Sequence, residues 1–312
     1  MSDMENEFLL QDRLQKIRQI IHKYGEENFY ISFSGGKDST VLSVLVDMAL
    51  PDNKIPRVYA NTGIELNMIR DWVFELQKKD DRIVVIKPSK SIKDTLEKYG
   101  YPFKSKKHSK KVGTFQRNGM TKTAEHYLTP KKGEESFACP ALLRYQFTDE
   151  FKLKVDYLCC VKMKEEPMQK WAKENNKSCA IVGIMRNEGR GRTKSKCLVF
   201  DKKKLKLFQP LSPMTKSWEE WFIDKYKVEI CAIYYPPYNF LRTGCKGCPN
   251  ALKLQQELDT LEKFFPNERK QCEYIWKPVY DEYRRIGYRL RPLECEKQMS
   301  INDFAKGVDH IE

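Results

Sequence analysis

The sequence predicts an α/β protein, a parallel sheet flanked by helices. Short apolar runs of strand length alternate with stretches of helical periodicity, and that alternation builds a sheet covered on both faces. The first such run breaks at two glycines and opens directly into a helix. No apolar run approaches the ~20 residues that a membrane span needs. In chain order, residues 8–24 carry apolar positions at helical spacing and lead into a strand at 28–33. Further strands are expected at 57–60, 82–86 and 178–183, with helices at 40–46, 67–78 and 217–226.

The 312 residues are 40% hydrophobic, enough for one sizeable core with an appended region. A nucleotide-binding domain is expected over 1–250, interrupted at 104–133 by a segment dense in Lys and punctuated by Gly113, Gly119, Pro130 and Gly133. That composition reads as a mobile basic insertion, either a solvated loop or a lid or polyanion-binding arm. Residues 253–265 and 276–290 read as two amphipathic helices of a C-terminal helical extension over 251–312. The net charge of +14 favours polyanionic partners such as nucleotides or nucleic acid. The acidic N-terminus does not resemble a signal peptide, so the expectation is a cytoplasmic protein with no membrane partner. Ten cysteines in that compartment argue for thiolate chemistry or metal ligation, not for disulfides.

Ser34-Gly35-Gly36-Lys37-Asp38-Ser39 is the strand-to-helix turn. Free backbone N–H groups and the positive end of a helix dipole converge there on one spot, an anion site most naturally filled by phosphate. Lys37 adds a cation and Ser39 a hydroxyl. The hexapeptide is neither the Gly-x-x-x-x-Gly-Lys loop of common NTPases nor the dinucleotide Gly-x-Gly-x-x-Gly. It resembles the pyrophosphate-binding loop (PP-loop) of the adenine nucleotide alpha hydrolases, which include ATP pyrophosphatases, sulfate-activating enzymes and the phosphoadenosine phosphosulfate (PAPS) reductases. The resemblance implies a Rossmann-like fold.

Cys159-Cys160 and Cys245-Lys246-Gly247-Cys248 are two close pairs 85 positions apart. Four thiolates can hold zinc or a four-iron four-sulfur (4Fe-4S) cluster, and spacing alone does not choose. Adjacent cysteines converge poorly on one zinc ion and suit a cluster better. The arrangement resembles the cluster motif of the adenylyl-sulfate (APS) reductases, with Lys164 and Pro167 at that family's offsets. The resemblance implies that Lys164 places a cation near the cluster. Asn61-Thr62-Gly63-Ile64-Glu65 is similar to the family's Asp-Thr-Gly turn, which meets the nucleotide. Gly183-Ile184-Met185-Arg186-Asn187-Glu188 with Arg192 resembles its oxyanion-handling segment, and Phe208-Gln209-Pro210-Leu211 with Trp218 its closing strand and turn. Thr62, Gly63, Gly183, Arg186 and Arg192 thus join Ser34 to Ser39 as expected nucleotide-binding residues. The resemblance runs from about residue 28 to 250.

APS and PAPS reductases commonly carry a degenerate loop, whereas this chain keeps Ser-Gly-Gly-Lys-Asp-Ser whole. A complete loop implies ATP cleavage between the α and β phosphates, with Lys37 and Asp38 catalytic and Mg2+ bridging the phosphates. Adenylylation of an acceptor, nucleic acid among the candidates, would then prepare sulfur transfer from a sulfur donor protein. The reductases end in Glu-Cys-Gly-Leu/Ile-His, and here Glu294-Cys295-Glu296 keeps only Glu-Cys. The rival reading is therefore an APS or PAPS reductase that uses Cys295 as nucleophile and a thiol reductant, forming sulfite and AMP. A third is a nucleic-acid-binding module with a regulatory nucleotide site. Cys139 is an alternative sulfur acceptor, and Cys179, Cys197, Cys231 and Cys272 read as structural thiols.

Overall fold

The computed structural model describes residues 2–133, 138–185 and 196–292. The expected sites Arg186, Arg192 and Cys295 lie outside the described residues. The chain divides into two compact units, one of residues 1–100 and 156–246, the other of 101–155 and 247–312.

The first unit holds a six-stranded sheet of β1 (Phe29–Phe33), β2 (Arg57–Ala60), β3 (Ile83–Ile86), β4 (Cys179–Ile181), β5 (Leu198–Asp201) and β6 (Lys204–Phe208). Their order is β3-β2-β1-β4-β6-β5. All neighbouring pairs run parallel except β5 and β6, an antiparallel hairpin with a register shift at Val199/Phe200. The four expected strands are β1 to β4. Of the hairpin only the end of β6 at Phe208 was marked, as the closing strand of the resemblance; the rest escaped notice because alternating lysines dilute the apolar residues of β6, of which only Leu205 and Phe208 are buried.

Successive side chains of a strand face opposite ways. Phe29 and Ile31 join the core beneath α1 (Asp3–Tyr24), α2 (Lys37–Ala49) and α9 (Lys216–Tyr226). Tyr30 turns to the other face, against Met168 and Ala172 of α8 (Glu166–Glu174). Helix α1 starts before residue 8 because Ser2 and Glu5 cap it reciprocally. Its Leu10, Leu14 and Ile17 are buried, and each such side chain stabilises by roughly 1.5–3 kcal/mol. Trp218 of α9 is equally enclosed and donates its indole N–H to the Asn6 carbonyl at 3.1 Å. Helices α3 (Asn67–Lys79) and α4 (Ile92–Tyr99) follow β2 and β3, and α7 (Leu158–Cys160) leads through a π turn (Val161–Glu165) into α8.

The second unit corrects the expectation of a loop at 104–133. Residues expected to form a loop make α5 (Lys106–Asn118) and α6 (Lys122–Leu128), capped by Ser105 and Thr121 side chains. These helices belong to the same unit as α10 (Leu254–Phe264) and α11 (Pro266–Arg285). Helix α11 begins ten residues before the expected start because Pro266 opens it, its fixed φ suiting the first helical position. Phe103 packs edge-on against Tyr283 at 4.5 Å between ring centroids. The Tyr283 hydroxyl accepts from Lys104 N–H at 2.7 Å and donates to the Pro249 carbonyl at 2.9 Å. No helix among the described residues is long and apolar enough to cross a membrane.

Candidate nucleotide site

The chain leaves β1 toward β2 on one side of the sheet and returns through β4 on the other. Loops beyond the carboxyl ends of β1 and β4 therefore diverge, and a crevice opens where the strand order switches, the usual ligand position in such sheets. Ser34 to Ser39 occupy it.

Gly35 lies at φ 70°, and a Cβ there would stand 2.5 Å from Val73 Cγ2. Only glycine lets the turn close. Gly36 is the N-cap of α2 without any side-chain cap, so the first N–H groups of the helix stay aimed into the turn. Ser39 Oγ donates to the Gly36 carbonyl at 2.9 Å and accepts from Ser34 N–H at 3.2 Å. Its only proton is then committed, so Ser34 Oγ donates to Ser39 Oγ across 3.0 Å. Gly183, just past β4, lies against the loop: a Cβ would come within 2.8 Å of the Asp38 carbonyl oxygen. The backbone after β4 thus closes the crevice from the far side.

Lys37 forms an ion pair with Glu219 of α9, whose side chain is 1% exposed, and stands 3.7 Å from Asp38. Burial lowers the Lys37 pKa, and the Asp38 charge opposes that. The second oxygen of Glu219, Oε1, is buried without a hydrogen-bond partner. Lys37 N–H donates to the Tyr234 hydroxyl at 3.2 Å, and Tyr234 shares a 2.5 Å hydrogen bond with Thr243. Burial pushes the Tyr234 phenol up to about 12. Glu219, Tyr234 and Thr243 are candidate site residues that the sequence reading missed.

Thr62 and Gly63 lie on the neighbouring loop after β2. Glu65 accepts from Thr62 N–H at 3.1 Å and from its hydroxyl at 2.5 Å, while Gly63, at φ 75°, faces open space. Glu65 pairs as an isolated bridge with Cys245, and Lys246 N–H donates to the Ile64 carbonyl at 2.8 Å. The ends of β1 and β2, Glu65, Lys164 and Thr243 line a cavity of about 100 Å³. Tyr59 lines it too, and its buried hydroxyl has no partner. An unpaired buried hydroxyl is unfavourable until something bonds to it.

Lys164 leaves the π turn with its ammonium 3.9 Å from Glu65. Burial raises the Cys245 pKa, Lys164 opposes this, and Cys160 and Glu65 add to it. Cys160 and Cys245 thus share one electrostatic neighbourhood, with Cys159 buried beside Cys160. Cys248 belongs to the other unit. Among the described residues, no three His, Cys, Asp or Glu side chains gather closely enough to hold a metal ion. Cys139 is buried in the second unit with its thiol pushed up to about 11, which suits a structural role.

A glycine turn at the switch point of a parallel sheet, with helix N–H groups and a lysine facing it, makes this an α/β protein with a candidate phosphate site. The sequence model of the phosphoadenosine phosphosulfate reductase domain matches residues 28–129 and 143–251, more than half of the chain. The chain belongs to that family, whose members include enzymes. An uncharacterized protein of Methanocaldococcus jannaschii is 36% identical over 103 residues, 30% of this chain and 25% of that protein. The chain thus spans about a quarter of the length of this curated relative. Phosphoadenylyl-sulfate (PAPS) reductase from Candida auris, solved as a phosphate complex, aligns at 12% identity over 75% of this chain and 91% of its own, with a TM-score of 0.42. The U34-tRNA thiolase NcsA from Methanococcus maripaludis, solved with its 4Fe-4S cluster, aligns at 12% identity over 95% and 85%, with a TM-score of 0.38.

Proposed function

We propose that the chain is an ATP-cleaving enzyme of the PAPS reductase family that adenylylates an acceptor in preparation for sulfur transfer. The observation that carries this reading is the whole loop: Gly35 and Gly36 leave the α2 N–H groups facing the crevice, with Lys37 beside them. A reductase that only binds a sulfonucleotide has little use for so complete a pyrophosphate site.

In this reading, Ser34, Gly35, Gly36 and Ser39 cradle the β and γ phosphates, and Thr62, Gly63 and Gly183 border the rest of the nucleotide. Arg186 and Arg192 are proposed to bind further oxyanions. An acceptor oxygen attacks the α phosphorus, the bond from that phosphorus to the bridging oxygen breaks, and pyrophosphate leaves with its electron pair. Lys37 neutralises the charge that grows on the leaving group. Mg2+ would sit beside Asp38 and the phosphates and supply further charge neutralisation, since it needs only one or two carboxylates when phosphates complete its shell. Cys159, Cys160, Cys245 and Cys248 are the proposed cluster ligands on their sequence spacing. Iron and acid-labile sulfide analysis of anaerobically purified protein tests that assignment.

Pyrophosphate release from ATP, assayed beside sulfite formation from APS and PAPS, tests the reaction. We expect pyrophosphate from the wild type and a loss on the order of 100-fold or more in Lys37→Ala. Sulfite that depends on Cys295, with ATP untouched, would instead establish the reductase.

A further inference from the structure

Helix α5 carries Lys106, Lys107, Lys110 and Lys111 within its first six positions and no acidic residue anywhere. Two physical rules count against this pattern. Cations at a helix N-terminus oppose the macrodipole. Like charges four residues apart, as at 106/110 and 107/111, repel.

The packing concentrates the charge further. Lys107 and Lys111 both place their ammonium groups over the Tyr127 ring, 5.7 and 5.4 Å from its centroid. Lys104 donates to the hydroxyl of the same tyrosine at 3.5 Å. The Lys104 pKa is lowered by burial first, with Cys139 opposing and Arg289 and Lys107 adding to the fall. That of Lys111 is lowered by burial, then by Lys107 and Lys110. These cations crowd one another.

The opposite side of α5 is closed. His108, Ser109, Val112 and Gly113 are buried in the second unit, whereas Lys106, Lys107 and Lys110 are exposed. A helix that binds a bilayer needs an apolar face to insert, and this one has already buried its own. Its exposed side carries charge with little apolar area, which suits a regular row of phosphates. Residues 106 to 117 span ~16 Å of helix axis at ~1.5 Å per residue, several phosphates of a nucleic-acid strand.

We propose that this face of α5, with Lys104 and Arg289 at its edge, binds the phosphodiester backbone of a nucleic acid. The inference deepens the proposed function, because it names the class of acceptor brought to the enzyme. It does not depend on ATP cleavage.

The test uses the full-length chain and fluorescence anisotropy with labelled 20-nucleotide single-stranded RNA, single-stranded DNA and duplex DNA, from 50 to 200 mM salt. Poly-glutamate and free ATP serve as competitors. Binding should fall with salt with a log–log slope near −3, about −0.7 for each of roughly four phosphate contacts on single strands. The variant Lys106→Ala/Lys107→Ala/Lys110→Ala should bind on the order of 100-fold more weakly at 100 mM salt, with a slope shallower by about 2. Its thermal midpoint and circular dichroism spectrum report separately whether the variant is folded. Equal affinity of variant and wild type overturns the proposal, as does displacement of nucleic acid by poly-glutamate or ATP at equal charge concentration. Which of the three nucleic acids binds tightest identifies the acceptor. Wild-type protein that binds nucleic acid yet releases no pyrophosphate refutes the proposed reaction and leaves this inference standing. The reverse result refutes the inference alone.

Discussion

Lys37 and Glu219 illustrate how a candidate binding residue is held by the protein around it. Glu219 is 1% exposed, and its sole described partner is the Lys37 ammonium. Removing one member of a buried pair leaves an uncompensated charge and is destabilising by about 3–5 kcal/mol, whereas removing both is far milder. We therefore expect Lys37→Ala to lower the urea midpoint markedly, and Lys37→Ala/Glu219→Gln to recover most of the loss while pyrophosphate release stays absent. Equal midpoints for the single and double variants would disprove this coupling. The sequence displayed Lys37 plainly, in a glycine turn between strand and helix. Glu219 and Tyr234 were not legible, because they reach Lys37 across 182 and 197 residues and no local pattern marks them.

Helix α5 was illegible for a different reason. Its buried side consists of His108, Ser109, Val112 and Gly113, so the aliphatic periodicity that betrays an amphipathic helix is missing. The readable signal was Ser105, whose hydroxyl accepts from His108 N–H at 3.1 Å. His108 itself is fully enclosed between Tyr127 at 3.1 Å and Gln146 at 2.7 Å. Burial holds its pKa down to about 4, against 6.5 for a free imidazole. The stability it contributes is present above pH 6.5 and is lost as pH falls toward 4. Glu257 of α10 has the opposite sign. Burial raises it from 4.5 to about 7, against the pull of the Gly247 N–H at 3.0 Å, so its contribution is lost as pH rises through that window. Each effect is worth about 3 kcal/mol at most, and between pH 5 and 6.5 they offset each other. Urea midpoints at pH 5, 6 and 7 should rise with pH in Glu257→Gln and fall with pH in His108→Gln, relative to wild type. Parallel profiles would refute the assignment of these shifts to burial.

At the scale of the molecule, the sheet was readable and the grouping of its additions was not. Strands β1 to β4 announced themselves through apolar runs bounded by turns. Nothing in the sequence indicated that 101–155 and 247–312 form one unit, since its ties, such as Tyr283 to Lys104, join residues 179 apart. Truncation after Lys253 removes Tyr283, Glu282 and Arg285, which hold Lys104 and Tyr145. We expect trypsin then to cut within 101–155 while 1–100 and 156–246 stay protected, as peptide mass mapping would record. Protection of 101–155 in the truncated chain would show that the segment folds without α11.

The Tyr234 hydroxyl on Lys37 N–H and the Glu219 carboxylate on its ammonium stand where a phosphate would bring an acceptor and a charge. On the proposed function, occupation of the loop is consequently an exchange, in which an arriving phosphate must outcompete two groups of the protein itself. A neutral acceptor gains almost nothing by such a swap, because the net worth of one hydrogen bond over another is about 0.5–1.5 kcal/mol. If the proposed nucleotide site is right, adenosine should therefore bind far more weakly than its phosphates, as competition by adenosine, AMP and ATP would measure.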